Sequence, residues 1–231
     1  MIFRPFFDAD TSTYTYLIGD PKTRKAVLID PVLEQVDRDL QFVKELGLEL
    51  SHVFETHVHA DHVTGAGLLR ERTGCIVVGG KGGASCADRH VEHDEVIEVG
   101  DLRFRALATP GHTHDSFSFY IDGMVFTGDT LFVRGTGRTD FQNGDPEALY
   151  DSITRVLFAL PDETLVYPGH DYAGRMVTTI GEEKRHNPRL AGKSKEEFVH
   201  IMNNLNLPRP KKIDVAVPAN RACGDLGAVS A

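Results

Sequence analysis

Thr56-His57-Val58-His59-Ala60-Asp61-His62 packs three imidazoles and a carboxylate into one short run, directly after the apolar stretch Leu50 to Phe54. Histidine is the commonest protein metal ligand, and a carboxylate is its usual hard companion. Further along the chain stand Gly111-His112, Gly128-Asp129-Thr130 and Pro168-Gly169-His170, each a polar group beside a glycine. A lone histidine would read as a surface turn residue or a hydrogen-bonded core side chain. An H-x-H-x-D-H run with three downstream partners reads as metal binding, with His57, His59, Asp61, His62, His112, Asp129 and His170 as candidate ligands.

Outward from that run, the chain alternates β-rich and helical patterns. Thr13 to Ile18 and Lys25 to Asp30 read as strands joined by the turn Gly19-Asp20-Pro21-Lys22. Val36, Leu40, Val43 and Leu46 recur at helical spacing and stop at Gly47. The stretch ending at Phe54 is a buried strand, so the histidine run falls on the loop leaving its C-terminal end. A helix begins near His62 and carries Leu68 and Leu69, and a strand follows at Cys75 to Val78. Gly79 to Glu95 reads as loop, and Val96 to Val99, Leu102 to Ala108, Phe117 to Ile121 and Met124 to Thr127 as consecutive strands. A helix is predicted from about Pro146 to Phe158 with Asp145 as N-cap, and a strand from Thr164 to Tyr167. Charged helices follow, then the basic, extended Pro208 to Lys212. The expectation is an α/β (α+β) chain of two packed sheets covered by helices. Residues 1–174 form its core, and 175–231 form a C-terminal extension packed on the same single domain.

Composition narrows the partners. A chain of 231 residues with 41% hydrophobic and 26% charged residues has globular values and enough length for a sizeable core. A net charge of −9 argues against nucleic acid as the main partner, because phosphate binding needs a basic surface. No apolar run reaches membrane-spanning length, and Met1 to Asp8 lacks the pattern of a signal peptide. Cys75, Cys86 and Cys223 are odd in number and show no C-x-x-C spacing, which predicts no disulfide framework and a reducing compartment. The lack of a targeting pattern predicts a bacterial-type cytoplasm, with a processed organellar protein as the alternative.

The set T-H-V-H-A-D-H, P-G-H-T-H, G-D-T and Y-P-G-H-D resembles the metallo-β-lactamase superfamily. That likeness implies an αββα sandwich of two mixed β-sheets flanked by helices, with metal held at one edge. G-R-T-D-F-Q (137–142), V-Y-P-G-H-D-Y (166–172), E-E-K-R-H-N-P-R-L (182–190), L-N-L-P-R-P-K-K-I-D (205–214) and V-P-A-N-R-A-C-G (217–224) look like persulfide dioxygenases of the ethylmalonic-encephalopathy-protein type. The resemblance implies one Fe(II) per chain held by His57, His112 and Asp129. It implies oxidation of the terminal sulfur of glutathione persulfide by O2 to sulfite, with release of glutathione. It further implies glutathione contacts from Thr113, Arg138 and Tyr172, and a homodimer.

Two imidazoles and a carboxylate on one face of Fe(II) leave positions open for two reactants, the usual arrangement for dioxygen activation. Zinc on the same ligands would activate only water. His59, Asp61, His62 and His170 are then expected either to orient the iron ligands or to hold a second metal. The second case would give a dinuclear thioester hydrolase similar to glyoxalase II, for which zinc would serve. A metal-containing sensing or interaction module without turnover is the remaining alternative. Without the family likeness, Arg138 would read as a loop-stabilising arginine, whereas Tyr172 reads equally as a packed aromatic or a binding group and Thr113 equally as a turn hydroxyl or a binding group.

Overall fold

A computed structural model describes residues 1–229; the last two residues of the expected C-terminal extension lie outside the described residues. Twelve strands form two six-stranded sheets. The first holds β1 (Ile2–Asp8), β2 (Thr13–Gly19), β3 (Lys25–Ile29), β4 (Glu49–Phe54), β5 (Ile76–Gly80) and β6 (Arg89–Val91), in that order. The second holds β7 (Val96–Val99), β8 (Leu102–Ala108), β9 (Phe117–Ile121), β10 (Met124–Gly128), β11 (Leu165–Pro168) and β12 (Thr178–Thr179), ordered β12-β11-β10-β9-β8-β7. Both are mixed. β1, β2 and β3 pair antiparallel, whereas β3, β4, β5 and β6 run parallel. In the other sheet β8, β9 and β10 are antiparallel, β10 and β11 parallel, and β11 and β12 antiparallel. Two mixed sheets with helices is the expected fold class.

The helices are α1 (Val36–Glu45), α2 (Ala66–Thr73), α3 (Pro146–Asp151), α4 (Ile180–His186), α5 (Lys195–Asn203) and α6 (Ile213–Arg221). α1 buries Val36 and Val43, and Leu40 and Leu46 extend the same apolar stripe. α2 ends where Gly74 takes the left-handed conformation. Asp145 caps α3 by accepting from the Glu147 and Ala148 amides, with Pro146 at the first helical position. The predicted helix to Phe158 is realised in pieces: after Asp151 the chain passes through a π-helical turn (Ser152–Val156) and a 3-10 turn (Leu157–Ala159).

Four elements, β1, β6, β12 and α6, lie outside the sequence expectation. β1 lies where no strand is predicted, because Pro5 obscures the pattern; an edge strand tolerates it. β6, within the expected loop, is a three-residue, largely polar strand that pairs only with β5. α6 follows the basic segment despite the internal Pro218.

By contact the chain divides into two compact units. One comprises residues 1–91, 96–104 and the segment from Arg209; the other comprises 92–95 and 105–208. The first unit's core gathers Leu17, Leu28, Val53, Leu69 and Val77 with the inner faces of α1 and α2. The second gathers Val125, Leu149, Ile153, Leu157, Val166, Ile180 and Phe198.

The expectation of no disulfide framework is overturned: Cys86 and Cys223 are bonded, and only Cys75 among the described residues is a free, buried cysteine. The partners stand 137 positions apart, so local spacing carried no sign of the pairing.

Candidate metal centre

Strand ends present the candidate ligands. Asp30 follows β3, the run 57–62 follows β4, His112 lies beyond β8, Asp129 follows β10 and His170 follows β11. At the carboxyl end of a strand the backbone turns away and leaves side chains projecting from the sheet edge.

In the first unit, Asp30 holds the start of the histidine loop. Its carboxylate accepts from the Thr56 amide at 2.7 Å and from the Thr56 hydroxyl at 2.8 Å. With its one proton committed to Asp30, the Thr56 oxygen accepts from His57 Nδ1 at 3.0 Å. That fixes the tautomer of His57, leaving Nε2 as the nitrogen with a lone pair. The His57 and His59 ring centres are 4.1 Å apart, and those of His59 and His62 4.3 Å. His62 Nδ1 donates to Asp61 Oδ2 at 2.8 Å, and Asp61 also accepts from the Thr13 hydroxyl. Ligand atoms of His59, Asp61 and His62 lie within 4.8 Å of one another, as do those of Asp30, Glu55 and His59.

His59 is the most unusual member. Its Nε2 lies 3.2 Å from Asp30 and 3.4 Å from Glu55, without hydrogen-bond alignment to either. Burial favours its neutral form, but the two carboxylates override that and raise its pKa well above the ordinary value. Burial in turn raises the pKa of Glu55, against the pull of His59 and the hydrogen bond from Thr64. Both ring nitrogens of His59 and Nε2 of His62 are buried without hydrogen-bond partners among the described residues. Buried imidazoles among carboxylates are a donor set suited to a cation, which would take the place of the proton that the carboxylates hold on His59.

In the second unit, His112 Nδ1 donates to the Arg138 carbonyl at 2.7 Å, so its lone pair is on Nε2. That nitrogen faces Asp129 Oδ2 at 3.5 Å. The other carboxylate oxygen, Oδ1, accepts from His170 Nδ1 at 2.7 Å. A protonated Nε2 would pair with that carboxylate oxygen directly, and a neutral one calls for a cation between the two atoms. Neighbouring glycines permit the approach. A Cβ at Gly137 would lie 2.1 Å from the Asp129 carbonyl oxygen and 2.9 Å from His112 Nδ1, and one at Gly169 2.8 Å from Asp129 Oδ1. In the first unit the residues present fit a bound metal, and in the second His112 and Asp129 offer two further donor atoms.

The expected glutathione contacts differ in accessibility. Tyr172 is 75% exposed and stacks on His170, ring centres 5.8 Å apart. Arg138 is already engaged: it donates to both Asp140 carboxylate oxygens and to the carbonyls of Leu207 and Pro208, and stacks over Phe141. Its neighbour Asp140 is held below the usual carboxylate range by that bond. Thr113 is buried, with its hydroxyl against that of Ser116 at 2.7 Å. The histidines outside the motifs behave as ordinary polar groups; His52 meets the Ser51 hydroxyl, and His90 and His93 have separate backbone partners.

Three residues of this site escape the sequence reading. Asp30 and Glu55 are single acids at strand ends with no spacing to mark them. Asn220, whose carboxamide bonds the histidine loop, lies within the V-P-A-N-R-A-C-G motif, but nothing in that motif announces its role.

The family model described as Metallo-beta-lactamase superfamily matches residues 9–85 and 87–170. The chain is 50% identical to "Persulfide dioxygenase ETHE1, mitochondrial" of Bos taurus over 227 residues, covering 97% of this chain and 89% of that protein. The Homo sapiens protein of the same name is 49% identical with the same coverage. The crystal structure of ETHE1 from Myxococcus xanthus superposes with a TM-score of 0.96 at 71% identity, covering 97% of this chain and all of that one.

Proposed function

Since the chain belongs to the metallo-β-lactamase superfamily, and within it to the persulfide dioxygenases, we propose that it oxidises the terminal sulfur of glutathione persulfide with O2. The products are sulfite and glutathione. Four electrons pass from the sulfane sulfur to O2, water cleaves the sulfur–sulfur bond, and glutathione leaves as the thiol.

We propose that His57, His112 and Asp129 hold one Fe(II). When bound, the iron supplies redox chemistry with O2 that zinc on the same ligands lacks. What supports this reading is the His112–Asp129 pair, an imidazole nitrogen and a carboxylate oxygen 3.5 Å apart within a chain half identical to named persulfide dioxygenases. The protein's own contribution is to fix protons. Thr56 keeps one on His57 Nδ1, the Arg138 carbonyl keeps one on His112 Nδ1, and His170 donates to the Asp129 oxygen facing away from His112. Each proposed ligand thereby offers a lone pair and needs no rearrangement to do so.

Tyr172, with its exposed ring, is the proposed direct contact for the glutathione peptide. Arg138 joins it through whatever donor capacity Asp140 and the 207–208 carbonyls leave. Thr113 contributes through the turn it braces with Ser116. No helix among the described residues is long and apolar enough to cross a membrane. We place the reaction in the glutathione-containing cytoplasm and propose a homodimer.

The test is anaerobic purification with elemental analysis, followed by an oxygen electrode. One iron per chain and stoichiometric O2 uptake with glutathione persulfide is the expected result. The grouping of His59, Asp61 and His62 favours a second reading, a dinuclear thioester hydrolase. Two tightly held metals and hydrolysis of lactoyl-glutathione without O2 uptake would establish that instead. Absence of turnover with either substrate in metal-loaded protein would leave the sensing module.

A further inference from the structure

Asn220 occupies the last turn of α6 and is only 3% exposed. Its Nδ2 donates to the carbonyl of His59 at 2.9 Å and to that of His62 at 2.8 Å. Its Oδ1 accepts from the Thr64 amide at 2.8 Å. A carboxamide has two N–H groups and one carbonyl, and here they meet two carbonyls and one N–H. The reverse orientation would set like against like at all three contacts, so the side chain has one allowed pose. The segment 59–64 is neither helix nor strand, and its buried backbone groups find in Asn220 partners that secondary structure would otherwise supply.

Asn220 is itself tied down. Ala216 and Ala219 of the same helix pack with Val63 of the loop. Just beyond the helix, Cys223 is bonded to Cys86, and its carbonyl accepts from the Gly67 amide at 2.8 Å. Gly224 approaches so closely that a Cβ there would lie 2.1 Å from the Thr64 carbonyl oxygen. The carboxamide is therefore a fixed template against which the loop is set.

We infer that Asn220 is a positioning residue for the metal loop: it sets the backbone of His59 to Thr64, and through it the imidazoles that form or surround the metal site. This rests on the proposed metal-binding reading of the loop. Residues that orient ligands without touching the metal commonly cost about 10- to 100-fold in metal affinity when removed.

The experiment compares full-length wild type, Asn220→Asp, Asn220→Ala and Leu157→Ala loaded with Co(II), whose visible absorption reports ligand geometry. Asn220→Asp is nearly isosteric and keeps the acceptor for Thr64 while losing both donors. Asn220→Ala loses all three bonds without introducing a charge, so either protein serves if the other does not fold. Leu157, buried in the second unit's core, is the control for lost stability alone. Chelator competition is expected to give about 10-fold or greater weakening of Co(II) binding in the Asn220 proteins, with an altered spectrum. Leu157→Ala should lose melting temperature but keep the wild-type spectrum and affinity. Asn220 variants that melt lower yet bind Co(II) with wild-type affinity and spectrum would overturn the inference and leave the metal reading standing. A wild type that takes up no Co(II) or Fe(II) would remove both.

Discussion

The two oxygens of the Asp129 carboxylate have separate tasks. Oδ1 is occupied by His170, and Oδ2 is turned toward His112 Nε2. Removing the carboxylate removes both the proposed ligand and the acceptor that orients His170. Asp129→Ala is therefore expected to lose bound iron and O2 uptake together, measured by elemental analysis and oxygen electrode; an active, iron-loaded variant would show the assignment to be wrong. Arg138 leads to a different expectation. Its guanidinium is spread over Asp140 and two carbonyls, so Arg138→Ala should raise KM for glutathione persulfide several-fold with a smaller effect on kcat. An unchanged KM would take Arg138 out of substrate binding. At this scale the sequence was legible where chemistry comes in spaced clusters, as with His57 to His62. It was silent on Asn220, Asp30 and Glu55, because a lone amide or acid shows its partner only once the chain has folded. The same holds for Arg138, whose charge is visible in the sequence and whose acceptors are not.

Between the ligands run short turns whose glycines bring backbone against side chain. The β11 exit is the clearest: a Cβ at Gly169 would meet Asp129 Oδ1 at 2.8 Å and the Gly128 carbonyl carbon at 3.1 Å. Gly169→Ala keeps every ligand yet must displace the carboxylate, so metal affinity is expected to fall about 10-fold while the fold persists. Isothermal titration with Co(II) checks this, and unchanged affinity would show that the turn yields instead. The second element-scale expectation concerns α6. Cys86–Cys223 closes a loop across 137 positions and ties the end of that helix to the chain beyond β5. Cys86→Ser should lower stability by about 2–4 kcal/mol in urea unfolding. Before reduction the unfolded wild type should titrate one free thiol, that of Cys75, and three afterwards. Three thiols without reductant would show that the bond does not form. A strand such as β3 was legible because burial on both faces leaves a continuous apolar run, Ala26 to Ile29. β6 and α6 were not, since three residues of which two are polar, or an internal proline, carry no such period.

Stability of the whole chain has a pH dependence in which Asp39, like Glu55, works opposite in sign to the usual carboxylate pattern. Asp8, Asp140 and Asp162 are held below the ordinary carboxylate range, so each supports folding at neutral pH and withdraws that support in acid. Asp39, on the buried side of α1, does the reverse. Burial pushes its pKa up from 3.8 to about 6, because Arg38 pairs with only one carboxylate oxygen and the other is buried without a hydrogen bond. An acid whose folded pKa exceeds its unfolded one binds its proton more tightly when folded. Its contribution to stability therefore grows as pH falls through about 6 and is complete below 3.8. The shift corresponds to about 3 kcal/mol at most. Asp39→Asn removes this titration and leaves the other carboxylates in place, so the difference between the two proteins isolates it. Urea unfolding from pH 7 to pH 4 should show wild type gaining on the variant by about 1–3 kcal/mol, most of it between pH 6 and pH 4. A difference that stays flat over that interval would mean that solvent or a shift of Arg38 satisfies the second oxygen, and that the carboxylate of α1 is charged and stable in the folded protein.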